Sequence, residues 1–246
     1  ERALTILEVI AEYNNGLGIT EISERVDLHK STIHRLLSTL VYKGYVVQDP
    51  ETLKYRTTLK LYEIGYKRLA NSDILTVSKP YTTKLMELTN EVVHLVVRDG
   101  NDIVYIDKIE AENTITMRSA IGKRNPMYCT SAGKAILSCL DMEEVSNIWK
   151  TSKIIKKTPN TITNYDDLVK ELEKIRKVGY AIDEQEDEEG IRCIGAAILN
   201  NEGKVEGAIS ISGPAMRITK DLIGKYGHLV KNTALQISRE LGYIPK

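Results

Sequence analysis

Apolar side chains recur at helical spacing from the start of the chain. Leu4, Leu7, Ile10 and Ala11 mark one face of a helix over about 3–13, and Asn14-Asn15-Gly16 ends it. Ile22 and Val26 give a short second helix one buried stripe, with Thr20 the expected N-cap and Glu21 and Glu24 suited to the positive end of the helix dipole. A third helix carries Ile33, Leu36, Leu37 and Leu40 at i, i+3, i+4 and i+7. Burying that face turns Lys30, Ser31, Thr32, His34, Arg35 and Thr39 outward, a set of hydrogen-bond donors with no acid among them. The pattern then becomes extended at Gly44-Tyr45-Val46-Val47 and Tyr55-Arg56-Thr57, around a turn at Asp49-Pro50-Glu51-Thr52. Two helices joined by a tight turn, the second basic on its outer face and followed by a hairpin, predict a winged helix-turn-helix DNA-binding domain over 1–60.

Leu61, Ile64, Leu69 and Ile74 keep a broadly helical spacing and predict a linker helix over 61–79 that ends before Pro80. Over 80–246 strands and helices alternate without internal repeats. Strands are expected at 92–97, 103–109, 114–118, 194–199 and 205–212, and helices at 80–90, 132–140, 166–178 and 219–241. Short turns such as Asn200-Asn201-Glu202-Gly203 join neighbouring strands, so the sheet should be largely antiparallel with helices on one side, an α+β domain.

Charge sharpens the first part of this picture. The chain holds 34 Lys+Arg and 34 Asp+Glu, and a net charge of zero excludes a protein that grips nucleic acid through bulk positive charge. Locally the balance is uneven. Residues 1–27 set two arginines against six carboxylates, a net of −4, whereas 28–60 set Lys30, Arg35, Lys43, Lys54, Arg56 and Lys60 against Asp49 and Glu51, a net of +4. Such a stripe alone also fits a solvated surface; on the third helix and its hairpin it is what a small DNA-reading element needs. Cys129, Cys139 and Cys193 are odd in number and without metal-ligand spacing, which argues against a disulfide framework or structural zinc and for a reducing, cytoplasmic setting. No apolar run approaches the roughly 18 residues of a membrane span, and no signal-peptide pattern is present. The chain starts at Glu1, inside a helical pattern and without Met, so a few preceding residues are expected.

The segment ITEISERVDLHKSTIHRLLSTLVYKGYVVQDPETLKYR (19–56), continued by LKLYEIG (59–65), resembles the DNA-binding domain and linker of IclR-type bacterial transcription regulators. The resemblance implies that the third helix enters the major groove and brings Lys30, Ser31, Thr32 and Arg35 to the DNA. Arg35 suits base reading, because a guanidinium fork pairs with guanine O6 and N7 for about 1–3 kcal/mol. Lys30, Lys54 and Arg56 suit phosphates, which position without specifying. Helix capping is the alternative role for Ser31 and Thr32, and His34 faces the rim. The family usually carries Gly in the wing turn where this chain has Leu53.

GYAIDEQE (179–186) followed by GIRCIG (190–195) resembles the signature of the same family, although Leu199 stands where an aromatic residue or His is preferred. The resemblance implies a GAF- or PAS-like effector-binding domain over 80–246. It also implies an effector site of Asp183, Cys193, Ser210, Ser212 and the amides of Ser131 and Ala132, with Met117 and Ile191 as apolar walls. Read alone, the six acids from Asp183 to Glu189 are a solvated loop, Cys193 is a core thiol, and Ser210 and Ser212 are exposed serines alternating with Ile209 and Ile211. Thr130-Ser131-Ala132-Gly133-Lys134 opens a helix whose free amides suit a small anion, but it lacks the Ser/Thr after Gly-Lys that a Walker A loop needs. A carboxylate at those amides and hydroxyls at Asp183 describe a small hydroxylated acid. MRSAIGKRNPMY (117–128), with Asn125 as a polar wall, and EEGIRCI (188–194) resemble the branch that senses 2-keto-3-deoxygluconate in pectin and sugar-acid breakdown.

The expected protein is a ligand-responsive repressor, a homodimer or dimer of dimers on double-stranded operator DNA, without cofactor or metal. The alternative is an activator or an effector-independent DNA-binding protein. An enzyme is not expected. The conceivable nucleophile pairs, Cys193 with His94 or His228 and Ser131 with Asp183, lie in no G-x-S-x-G or H-E-x-x-H context.

Overall fold

The helical spacings of the first sixty residues become helices whose apolar stripes meet. Helices α1 (Arg2–Ala11), α2 (Ile19–Val26) and α3 (Lys30–Tyr42) bury Ile6, Leu7, Ile10, Ile22, Ile33, Leu37 and Leu40 around a shared core. Strands β1 (Val46–Gln48) and β2 (Tyr55–Thr57) form the antiparallel hairpin, pairing Val47 with Arg56. Leu17 pins the hairpin to the helices: its N–H donates to the Tyr55 carbonyl at 3.0 Å, and the Tyr55 N–H donates back at 2.8 Å. Helix α4 (Lys60–Ala70) follows. Thr20 does not cap α2. Gly18 holds that position, and its N–H donates to the Glu21 carboxylate at 2.8 Å, the reciprocal half of a capping box. The wing turn is organised by Asp49, whose Oδ1 accepts the N–H groups of Glu51 at 3.1 Å and Thr52 at 2.9 Å. Leu53 completes the turn at φ +56°, the left-handed region that glycine enters without strain.

This computed structural model describes residues 1–70, 74–111 and 119–245 and divides into two compact units, Glu1–Ser72 and Asp73–Lys246. In the second unit α5 (Ile74–Thr89) precedes β3 (Val92–Asp99), β4 (Asp102–Ile109) and β5 (Arg124–Pro126). Next come α6 (Ser131–Ser138), α7 (Met142–Thr151), α8 (Tyr165–Val178), β6 (Ala181–Glu184), β7 (Ile191–Leu199), β8 (Val205–Pro214) and α9 (Ile223–Glu240). The strands order as β5-β4-β3-β8-β7-β6, every pairing antiparallel.

Three expectations change. Pro80 does not end a helix: α5 begins six residues earlier and runs through it. At that point the proline forfeits one hydrogen bond, and the packing of α5 against the sheet and α9, with Ile74, Ser78, Thr82, Leu85 and Thr89 buried, holds the helix. Helices cover both faces of the sheet, not one. Gly207 on β8 lies against the Ile74 side chain of α5, whereas Gly195 on β7, pointing the other way, lies against the backbone of α6. Helices α5 and α9 therefore cover one face, and α6 with α8 packed on it covers the other. The short strands β5 and β6 and helix α7 join the expected elements, while the strand expected at 114–118 lies outside the described residues.

Candidate functional site

The DNA-reading candidates sit at the start of α3. His29 is the N-cap, without a side-chain capping bond, so Ser31 and Thr32 belong to the first turn and neither caps the helix. Lys30, Ser31 and Arg35 are exposed and Thr32 is half-buried. Among the described residues, no acid forms an ion pair with Lys30 or Arg35. The Ser38 and Thr39 hydroxyls turn back onto the carbonyls of His34 and Arg35, at 2.9 and 3.2 Å, which leaves the first turn with the exposed His34 and Arg35 side chains as polar surface of the helix. The hairpin cations are lightly engaged: Lys54 lies 3.8 Å from Glu21 and Arg56 3.5 Å from Asp49. Both pairs are solvent-screened, and a phosphate oxygen can replace either carboxylate.

In the second unit the effector candidates gather through strand register. Asp183 on β6 stands opposite Cys193 on β7, which stands opposite Ser212 on β8; two pairs along, on the same face, Gly195 faces Ser210, and Ser210 faces His94 on β3. Asp183, Ile191, Cys193 and Ser212 line a cleft of about 50 Å³ together with His94, Tyr105, Ser119 and Asn125. Ser210 is buried on the same sheet face but outside the lining. Ser131 and Ala132 also lie outside it: they open α6, whose first turn rests on Gly195, so that a Cβ there would meet the Ala132 nitrogen at 2.8 Å. Met117 lies outside the described residues. Thr130 caps α6 by accepting the Gly133 N–H at 3.2 Å, so the Ser131 and Ala132 amides head the helix without an intrahelical acceptor.

A polar scaffold fixes the loop after β6. Asp183 Oδ1 accepts the N–H groups of Glu186 at 2.6 Å and Asp187 at 3.4 Å. Lys134 of α6, fully buried, forms an ion pair with Glu186. The Thr158 and Thr161 hydroxyls donate to the carbonyls of Gln185 and Glu186, both at 2.7 Å. Asp187 pairs with Lys157 and accepts from the Asn125 amide at 3.1 Å.

Electrostatics give the cleft its chemistry. Burial, reinforced by Glu186 and Asp187 and opposed by the Glu186 amide and Lys134, pushes the Asp183 carboxyl up to about 7. Burial, with Lys108 beside it, pulls His94 down to about 3, so its imidazole is neutral. Burial and the Asp183 charge hold the Cys193 thiol well above its ordinary value, which denies it the thiolate that a nucleophile needs. His228 lies exposed on α9 against the Tyr180 ring. Motif reasoning found Asp183, Cys193 and Ser212 but missed the lining residues His94, Tyr105 and Ser119. The available signal was one polar residue inside the apolar run 92–97.

Among the described residues no group of three or more His, Cys, Asp or Glu side chains is arranged to hold a metal ion, and no helix is long and apolar enough to cross a membrane.

Similarity to known proteins extends over both units. The chain is 38% identical over 238 residues to the HTH-type transcriptional regulator KdgR of Escherichia coli K12, covering 97% of this chain and 90% of that protein. It is 36% identical over 242 residues to the HTH-type transcriptional repressor AllR of the same organism, covering 98% and 89%. The crystal structure of Thermotoga maritima IclR superposes with a TM-score of 0.85 at 37% identity, over 98% of each chain. Residues 1–50 match the IclR helix-turn-helix domain and residues 66–239 the domain described as bacterial transcriptional regulator IclR C-terminal. With an exposed basic helix start in one unit, a polar cleft in the other and both domains matched in order, the chain belongs to the IclR family of bacterial transcriptional regulators.

Proposed function

We propose that this regulator is a cytoplasmic repressor that senses a small hydroxylated keto or sugar acid of the 2-keto-3-deoxygluconate kind. Residues 1–60 read DNA, 61–79 connect and 80–246 sense. The observation that carries the reading is the cleft itself. Asp183, Cys193 and Ser212 converge from three neighbouring strands with Asn125 and Tyr105, a lining of hydroxyl, amide and carboxyl groups suited to hydroxyls on a ligand. A carboxyl titrating near 7 is protonated part of the time, and in that form it donates a hydrogen bond to an acidic ligand. The similarity to KdgR and AllR supports the regulator and repressor parts of the reading.

Two copies would present two α3 helices to successive half-sites, with Arg35 reading a base and Lys30, Lys54 and Arg56 on phosphates. The effector would shift the DNA-binding equilibrium by about 1–3 kcal/mol, the usual size of allosteric coupling. Fluorescence anisotropy on a duplex selected from a random-sequence pool tests this. Titration with 2-keto-3-deoxygluconate should weaken binding about 5–150-fold. Tighter binding instead favours the activator, and no response to sugar acids removes the proposed effector class.

A further inference from the structure

Strand β3 lies between β4 and β8 near the centre of the sheet, and its first six residues read Val92-Val93-His94-Leu95-Val96-Val97. The one polar side chain in that run is 2% exposed. A valine or leucine at 94 would pack as its neighbours do, whereas a buried imidazole costs the desolvation of two ring nitrogens unless both find partners. Both do, and the partners belong to the cleft. Nε2 lies 2.8 Å from Ser119 Oγ, and Nδ1 lies 3.3 Å from Ser212 Oγ. The ring stands edge-on to Tyr105, with centroids 5.0 Å apart at 68°, and the Tyr105 hydroxyl accepts from the Asn125 amide at 3.3 Å.

The ring is neutral, so one nitrogen donates and the other accepts. A serine hydroxyl serves in either role. The chain Ser119–His94–Ser212 is therefore satisfied with the proton on either nitrogen, and it changes direction by rotating two hydroxyls and exchanging one tautomer, with no net charge moved. This is an unusual lining for an acid-binding cleft. Donors alone would suffice for carboxylate and keto oxygens, which only accept. A reversible donor–acceptor chain matches a group that does both.

We infer that His94 is a specificity-determining residue of the cleft: through Ser119 and Ser212 it reads a hydroxyl of the ligand and so separates hydroxylated acids from acids that offer only acceptor oxygens. The inference rests on the effector reading above and deepens it. Apolar β3 supplies the rigidity. His94 is held between two paired strands and against Tyr105, so the direction in which it meets Ser212 on β8 is set by the sheet, while Ser119 approaches Nε2 from the loop before β5.

Calorimetric titration of the full chain with 2-keto-3-deoxygluconate and with pyruvate, a 2-keto acid without hydroxyls, tests it in wild type, His94→Val and His94→Gln. In wild type the hydroxylated acid should bind at least about tenfold more tightly. His94→Val should erase about a factor of ten of that preference, chiefly by weakening the hydroxylated acid, and His94→Gln, whose amide still donates and accepts, should recover part of it. A folded His94→Val protein that keeps the wild-type preference, or that weakens both acids equally, overturns the inference while leaving the effector reading intact. Failure of wild type to bind either acid overturns both. If His94→Val does not fold, Ser119→Ala at its half-buried position carries the same expectation and the same refutation.

Discussion

Replacing Asp183 by Asn should stabilise the effector unit at alkaline pH. Asp183 is 3% exposed, and its carboxyl is raised from 3.8 to about 7, chiefly by burial. Between those values the folded protein holds the proton and the unfolded chain does not. Stability therefore falls as pH rises through this window and stays low above it. Three units at about 1.4 kcal/mol each set a ceiling near 4 kcal/mol for what the ionised group costs at pH 8. Asn removes the charge and keeps an oxygen for the Glu186 N–H, which Asp183 now accepts at 2.6 Å. The variant should gain about 2–4 kcal/mol over wild type at pH 8 and little at pH 4. Urea unfolding followed by fluorescence reads this unit selectively, because the chain's one tryptophan, Trp149, packs against its core between Tyr128 and Tyr165. Equal pH dependence in the two proteins, or a variant weaker than wild type at pH 8, would refute the idea that folding forces this carboxyl into an unfavourable site.

Leu53→Gly should stabilise the wing by about 0.5–1 kcal/mol, since Leu53 is 63% exposed and strained at φ +56° while glycine is not; an unchanged or lower thermal midpoint by circular dichroism counts against this. Arg35→Ala should cost about 1–3 kcal/mol on the selected duplex and relax its preference at one base, whereas Lys54→Ala should weaken all duplexes alike and lower the slope of log affinity against log salt by about 0.9. Identical profiles for the two variants in anisotropy would undo the division between base and phosphate contacts. Gly195→Val should push the start of α6 off the sheet, costing about 3 kcal/mol in urea titrations and abolishing effector response, because its Cβ falls 2.8 Å from the Ala132 nitrogen.

What the chain determined locally was legible without coordinates. The three helices and hairpin of the first unit follow from spacings of three, four and two residues, since each element there buries one face against its immediate neighbours in sequence. Asp183, Cys193 and Ser212 were legible through motif resemblance, and periodicity alone would have left them as a loop acid, a core thiol and a surface serine. Pro80 misled because its ring disfavours helix locally, while the packing of α5 on the sheet, a long-range term, outweighs that cost. The cleft is a matter of register. Ser212 meets His94 across 118 positions of chain, and whether Ser210 or Ser212 reaches the cavity depends on a two-residue step along β8. Local spacing carries no record of such a distance, because strand pairing is chosen by the whole sheet and the helices that bury its two faces. Tertiary structure likewise decided the charge states, since desolvation moves Asp183 and His94 in opposite directions from their ordinary values and no residue's own chemistry contains that information.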